Sequence, residues 1–125
     1  MAERYAVRTD QTAAQEIDGE AVVINFETNY YYGLNRTGTA VWKLLQDGGR
    51  DRADIAGALA AAFRTSTDAV ATDVDRLIDA LLAEGLIQAA ATAAAGPAAV
   101  DAADEYVAPR LDKHEKLDRL MLSGE

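Results

Sequence analysis

The chain has 125 residues, 50% of them hydrophobic, which is the length of one domain with one modest core. Its twelve Lys and Arg are outnumbered by twenty-one Asp and Glu, and the net charge of -9 repels phosphate backbones and anionic membrane surfaces. There is no cysteine, which excludes disulfides, thiolate metal sites and a cysteine nucleophile; the start MAERYAVRTD has no apolar signal core, and no apolar run approaches the roughly 20 residues of a membrane span. The composition predicts a soluble, cytoplasmic domain that binds neither nucleic acid nor membrane.

From Tyr5 to Leu34 the pattern is short and extended. Asp18-Gly19 is a hairpin signal, because both positions tolerate positive φ, and it predicts a strand over residues 13–17 and another in the β-branched run EAVVINF, residues 20–26. Glu27, Thr28 and Asn29 make a second turn, and YYYGL, residues 30–34, returns as a third strand. If strands pair in sequence order, this third strand is an edge with free amides and carbonyls.

After Leu34 the period changes from two to 3.6. Ala40, Val41, Leu44 and Leu45 share one helical face, with Thr37 as the expected cap and Gly48-Gly49 as the stop. A second helix follows Asp51 and presents Ile55, Leu59 and Phe63. A third runs from Ser66 to Glu84 with Val70, Val74, Leu77, Ile78, Leu81 and Leu82 inward, stops at Gly85, and leaves Leu86 and Ile87 to close the core. The predicted fold is α+β, like a winged helix-turn-helix: a three-stranded antiparallel sheet followed by three helices, occupying residues 1–87. Residues 88–104 are mostly Ala, broken by Gly96-Pro97, and read as a flexible linker with room for a helical start. In the tail, residues 105–125, large apolar residues return, first in YVAPRL and then as Leu117, Leu120 and Met121 at helical spacing.

No catalytic constellation can be assembled. His114 is the sole histidine and reads as a solvated residue of KHEK; Ser66 and Ser123 have no histidine nearby; one histidine without cysteine makes a poor zinc site; Asp73, Asp75 and Asp79 read as the wet face of the third helix. No GxGxxG or GK[ST] phosphate motif occurs, and Gly48-Gly49 is a turn. The expectation is a protein without enzymatic activity, cofactor or metal. In the triplet Tyr30-Tyr31-Tyr32, alternation puts Tyr30 and Tyr32 on the core face with Leu34, and Tyr31 on the other.

The ordered set EIDGEAVVINFETNYYYGLNRTGTAVWKLLQDGG, ADIAGALAAAF and DVDRLIDALLAEGLI resembles the PqqD-like proteins, the recognition elements for precursors of ribosomally synthesised, post-translationally modified peptides (RiPPs), over residues 13–87. That resemblance implies a non-catalytic adaptor that binds a precursor's leader and presents it to a modifying enzyme, a radical SAM protein, cyclase or protease. It implies a leader lying as an added strand between the third strand and the third helix. The backbone ladder would come from Asn29, Tyr30, Tyr31, Tyr32 and Gly33, and the helix wall from Asp73, Arg76, Leu77 and Ala80.

Tyr106-x-x-Pro109-x-Leu111, followed by Leu117, is similar to the YxxPxL motif of lasso-type leaders, although Glu115 stands where many such leaders have glycine and Met121 where threonine is usual. The expectation is that YVAPRL docks as a strand on residues 30–34, in its own molecule or in a tail-swapped dimer, with Arg110 and Lys113 facing the acidic third helix around Asp73. A winged-helix DNA-binding regulator is the alternative; against it, residues 1–87 hold eight Lys or Arg and fourteen Asp or Glu, and Arg76 is the only base on the third helix.

Overall fold

The computed structural model describes residues 3–100 and 105–114. The chain opens with a strand, β1 (Arg4–Val7), whose alternate residues Tyr5 and Val7 are buried. Strands β2 (Thr12–Ile17) and β3 (Glu20–Asn25) then form the hairpin predicted from Asp18-Gly19, both of which have positive φ, 53° and 83°. Strand β4 (Tyr31–Leu34) follows antiparallel to β3, with Tyr32 opposite Val23, and both of these side chains are fully buried.

Helix α1 (Arg36–Gln46) starts at once. Its cap is Asn35, one strand residue away, rather than Thr37: Thr37 is buried inside the first turn, and the Asn35 side chain accepts from Gly38 N at 2.9 Å. Thr39 joins sheet to helix, since its hydroxyl accepts from Ala21 N at 2.8 Å and donates to Leu34 O at 3.3 Å. After a two-residue strand, β5 (Arg50–Asp51), Asp51 caps α2 (Arg52–Phe63) and Ser66 caps α3 (Thr67–Ala83), as their sequence positions suggest. Gly85, at φ 72°, turns the chain out of α3 into β6 (Ile87–Ala89).

The result is a mixed α+β fold with two antiparallel sheets and, among the described residues, three helices. The expectation of one three-stranded sheet is corrected. The larger sheet has four strands in the order β2-β3-β4-β7, the last being Leu111–His114 from the tail. The smaller one, β5-β1-β6, gathers segments distant in sequence and closes the far side of the core. Trp42, Leu45, Ile55, Leu59, Ile78, Leu81 and Leu86 fill the space between helices and sheets. Asn25, only 1% exposed, ties the large sheet to the end of α3 by donating from Nδ2 to Glu84 O at 2.9 Å.

Residues 88–100, read from the sequence as part of a flexible linker with room for a helical start, begin as strand. Ala90 N donates to Arg4 O, Gly49 N to Thr92 O and Ala94 N to Gly49 O, and the buried Arg50 guanidinium donates to the carbonyls of Gly96 and Pro97. Among the described residues, no helix is long and apolar enough to cross a membrane.

Candidate functional site

The site is the β4 edge with the structure around it. Tyr31, Tyr32, Gly33 and Leu34 pair antiparallel with His114, Lys113, Asp112 and Leu111. Asn35 N continues the contact by donating to Arg110 O at 3.3 Å. Because strand groups alternate sides, the N–H groups of Gly33 and Tyr31 leave on the same side as that of Asn35, towards the tail, while Tyr30 O turns inward to accept from Asn25 N.

The residues expected in the ladder therefore separate. Tyr31, Tyr32 and Gly33 are in it. Asn29 stands outside, at φ 65° in the turn between β3 and β4, and Tyr30 precedes the paired strand. The strand that pairs is Leu111–His114, whereas Tyr106 to Arg110 runs on extended beyond the end of β4; only Leu111 of YVAPRL lies in the ladder.

Side chains fix the tail at both ends. Tyr106 OH donates to Asp73 Oδ2 at 2.8 Å, and its ring meets Phe63 edge to face at 5.4 Å. Burial and this bond to a carboxylate raise the Tyr106 phenol well above its ordinary range. Asp73 is thus a hydrogen-bond acceptor for the tail, and Asp75 and Asp79 hold Arg52, so the acidic face of α3 is occupied rather than merely wet.

At the other end Lys113 pairs with Glu84 Oε1 at 3.1 Å and lies 4.3 Å from the centre of the Tyr30 ring. The same Glu84 oxygen accepts from Tyr32 OH at 2.9 Å, and burial together with this bond pushes the Tyr32 phenol up to about 12. Lys113 does not meet Asp73 as expected, and Arg110 pairs with Asp112. Geometry gives the reason. The seven steps from Tyr106 to Lys113 span up to about 23 Å in an extended chain, and the eleven steps from Asp73 to Glu84, the C-cap of α3, rise about 16 Å. The tail thus runs beside α3 from Asp73 to its C-terminal cap, and Lys113 arrives about three turns away from Asp73.

Of the remaining wall residues, Leu77 is buried in the core, Ala80 is half-buried and Arg76 is exposed. Leu111 and Tyr106 pack against the core cluster, Pro109 is half-buried, and Tyr31 stacks on His114 at 4.8 Å. Leu117 lies outside the described residues, as do Leu120 and Met121.

Sequence reasoning missed Asn35, Gly38, Phe63 and Glu84. Phe63 ends the i, i+4, i+8 stripe of α2, and being only half-buried it is free to face a ligand. Asn35 stands in the strand-to-helix junction that the sequence marks as Leu-Asn. Beside it, a cleft of about 500 Å³ opens between α1, the β2–β3 turn and the tail, lined by Lys43, Phe63 and Val107 among others.

A family, Coenzyme PQQ synthesis protein D (PqqD), matches residues 20–87, from the second hairpin strand to the start of β6. The chain belongs to the PqqD family. The resemblance drawn from the sequence is thereby borne out over β3, β4 and all three helices, while β1, β2, residues 88–100 and the tail lie beyond the match. No curated protein matches. Among solved structures, "TbiB1 in Complex with the TbiA(beta) Leader Peptide" is similar, with a TM-score of 0.61 and 26% identity over 70% of this chain and 98% of that one. The PqqD-family fold here thus has a solved relative that holds a leader peptide.

Proposed function

We propose that this PqqD-family chain is a non-catalytic RiPP recognition element: a winged-helix-like unit that binds the leader of a precursor peptide along β4 and α3 and presents it to a modifying enzyme of the radical SAM, cyclase or protease kind. The observation that carries the reading is the β4 edge, which takes a strand from outside the family-matched region, in a fold similar to that of leader-bound TbiB1. The absence of cysteine and the presence of a single histidine in the sequence support an adaptor without chemistry of its own.

In this reading residues 1–87 are the recognition unit, 88–104 connect, and 105–125 are a leader-like tail that occupies the unit's own groove. Backbone pairing supplies affinity, and Tyr106 and Leu111 act as anchors in apolar surroundings. Tyr31, Tyr32 and Gly33 form the strand side, with Asn29 and Tyr30 in the turn that leads into it, and Asp73, Arg76, Leu77 and Ala80 the helix side.

The test uses the chain shortened after residue 103, titrated with a labelled synthetic peptide of residues 105–114. Binding in the micromolar range is expected. Tyr31→Pro removes an outward amide and should lower affinity by about tenfold or more while the fold persists. Equal affinity in a folded Tyr31→Pro protein would place the groove elsewhere.

A further inference from the structure

One amide side chain grips the tail twice. Asn35 Oδ1 accepts from Arg110 N at 2.9 Å, and Nδ2 donates to Ala108 O at 2.8 Å. The same Oδ1 accepts from Gly38 N, so the residue that caps α1 also holds the peptide. In an extended chain the carbonyl of residue i−1 and the N–H of residue i+1 leave on one side, and the N–H of residue i leaves on the other. Asn35 therefore reads the peptide groups on either side of position 109, where the chain carries proline. Proline lacks an N–H, and at 109 that N–H would point away from Asn35, so nothing is forfeited. At 110 proline would remove the donor that Oδ1 accepts from.

Two details fit a clip rather than a chance contact. A helix cap needs only an acceptor, for which Asp or Ser serves as well as Asn; the donor to Ala108 O is what asparagine adds. Gly38 leaves the room: a Cβ there would stand 3.0 Å from Asn35 Oδ1 and 3.2 Å from Arg110 O, tighter than such contacts ordinarily are, so the bare Cα lets the tail backbone approach the first turn of α1.

We propose that Asn35, seated on Gly38, is a specificity-determining residue that sets the register of a peptide in this groove: proline is admitted at the position the amide spans and refused at the next. The identity of the natural ligand rests on the leader-binding reading, but the clip is testable on the chain's own tail.

The experiment is amide hydrogen exchange of residues 111–114 in the full chain. Pro109→Ala should keep tail protection within about threefold, since only backbone stiffness is lost. Pro109→Ala combined with Arg110→Pro, which moves the proline by one residue, should lower protection by about tenfold or more. Asn35→Asp keeps the cap acceptor, loses the donor and sets a carboxylate against Ala108 O; protection should fall about tenfold with Tm unchanged.

Retained protection in the shifted-proline variant overturns the proposal, as does retained protection in Asn35→Asp. If Asn35→Asp also lowers Tm, the shifted-proline variant decides alone, because it leaves the domain untouched. A decapeptide of residues 105–114 is then added to the shifted-proline protein. Binding of the native order but not of the shifted order extends the clip to ligands in trans; equal binding of both orders overturns it. Should neither decapeptide bind while the exchange results hold, the clip stands and the leader-binding reading falls.

Discussion

Tyr106 and Tyr32 each give a hydroxyl proton to a carboxylate, Asp73 and Glu84, and both phenols are raised from the ordinary value of 10.0 by burial first and by that bond second. The sign follows from linkage. A raised folded-state value favours the protonated form, so the stability these residues contribute is complete below pH 10.0 and is lost as the pH climbs through the folded value, about 12 for Tyr32 and likewise above the ordinary range for Tyr106. Tail docking should therefore be insensitive to pH around neutrality and fail in strong alkali. Phenolate absorbance checks it: Tyr106→Phe should remove a late-ionising tyrosine, and Asp73→Asn, which keeps an acceptor but no charge, should bring the Tyr106 step back towards pH 10.0. A Tyr106→Phe curve that lacks only an early step would show the hydroxyl to be unheld.

Among the elements, the smaller sheet sets where the folding unit ends. Gln88 and Ala89 lie opposite Ala6 and Tyr5, and Ala90 N bonds Arg4 O, so a chain ended at residue 87 keeps only Val7 of β1 paired on that side, whereas one ended at residue 100 keeps the whole strand paired. The shorter chain should lose about 2 kcal/mol, or about 10 °C in Tm, relative to the longer one; equal melting would make residues 88–100 a passenger. The elements visible in the sequence are those specified locally. Asp18-Gly19 declares the hairpin, and Asp51, Ser66 and Gly85 mark helix ends through chemistry contained within three or four residues. The elements that were not visible are specified at a distance: β5 has two residues and no period of its own, and β1 alternates over only four, so their pairing exists only once α1, α2 and α3 have brought residues 4, 50 and 88 together. The site divides the same way. The β4 edge follows from strand order, but the partnership of Lys113 with Glu84 depends on how far a strand advances beside a helix, and the double use of Asn35 depends on a segment more than seventy residues away.

For the whole molecule, tethering the tail to its own groove gives it an effective concentration of about a millimolar, so an added peptide of similar affinity must compete against it. Deleting residues after 103 should tighten binding of the 105–114 peptide on the order of a hundredfold, and Tyr106→Ala with Leu111→Ala in the full chain should reproduce most of that gain. Equal affinity of full and shortened chains, measured by fluorescence anisotropy, would mean the tail does not guard the groove. The Lys113–Glu84 pair that ties the tail to the domain is partly exposed, so added salt should loosen the tail only modestly. The docked strand also changes what the large sheet offers to other copies of itself. Without β7 its rim is β4, aromatic and open on that side; with β7 the rim carries Asp112 and Lys113 and has Pro109 just ahead of it, features that blunt a sheet against its neighbours. The strand that pairs with β4 is thus also a terminator, a charged rim set where an aromatic edge would otherwise be open to another copy of the chain.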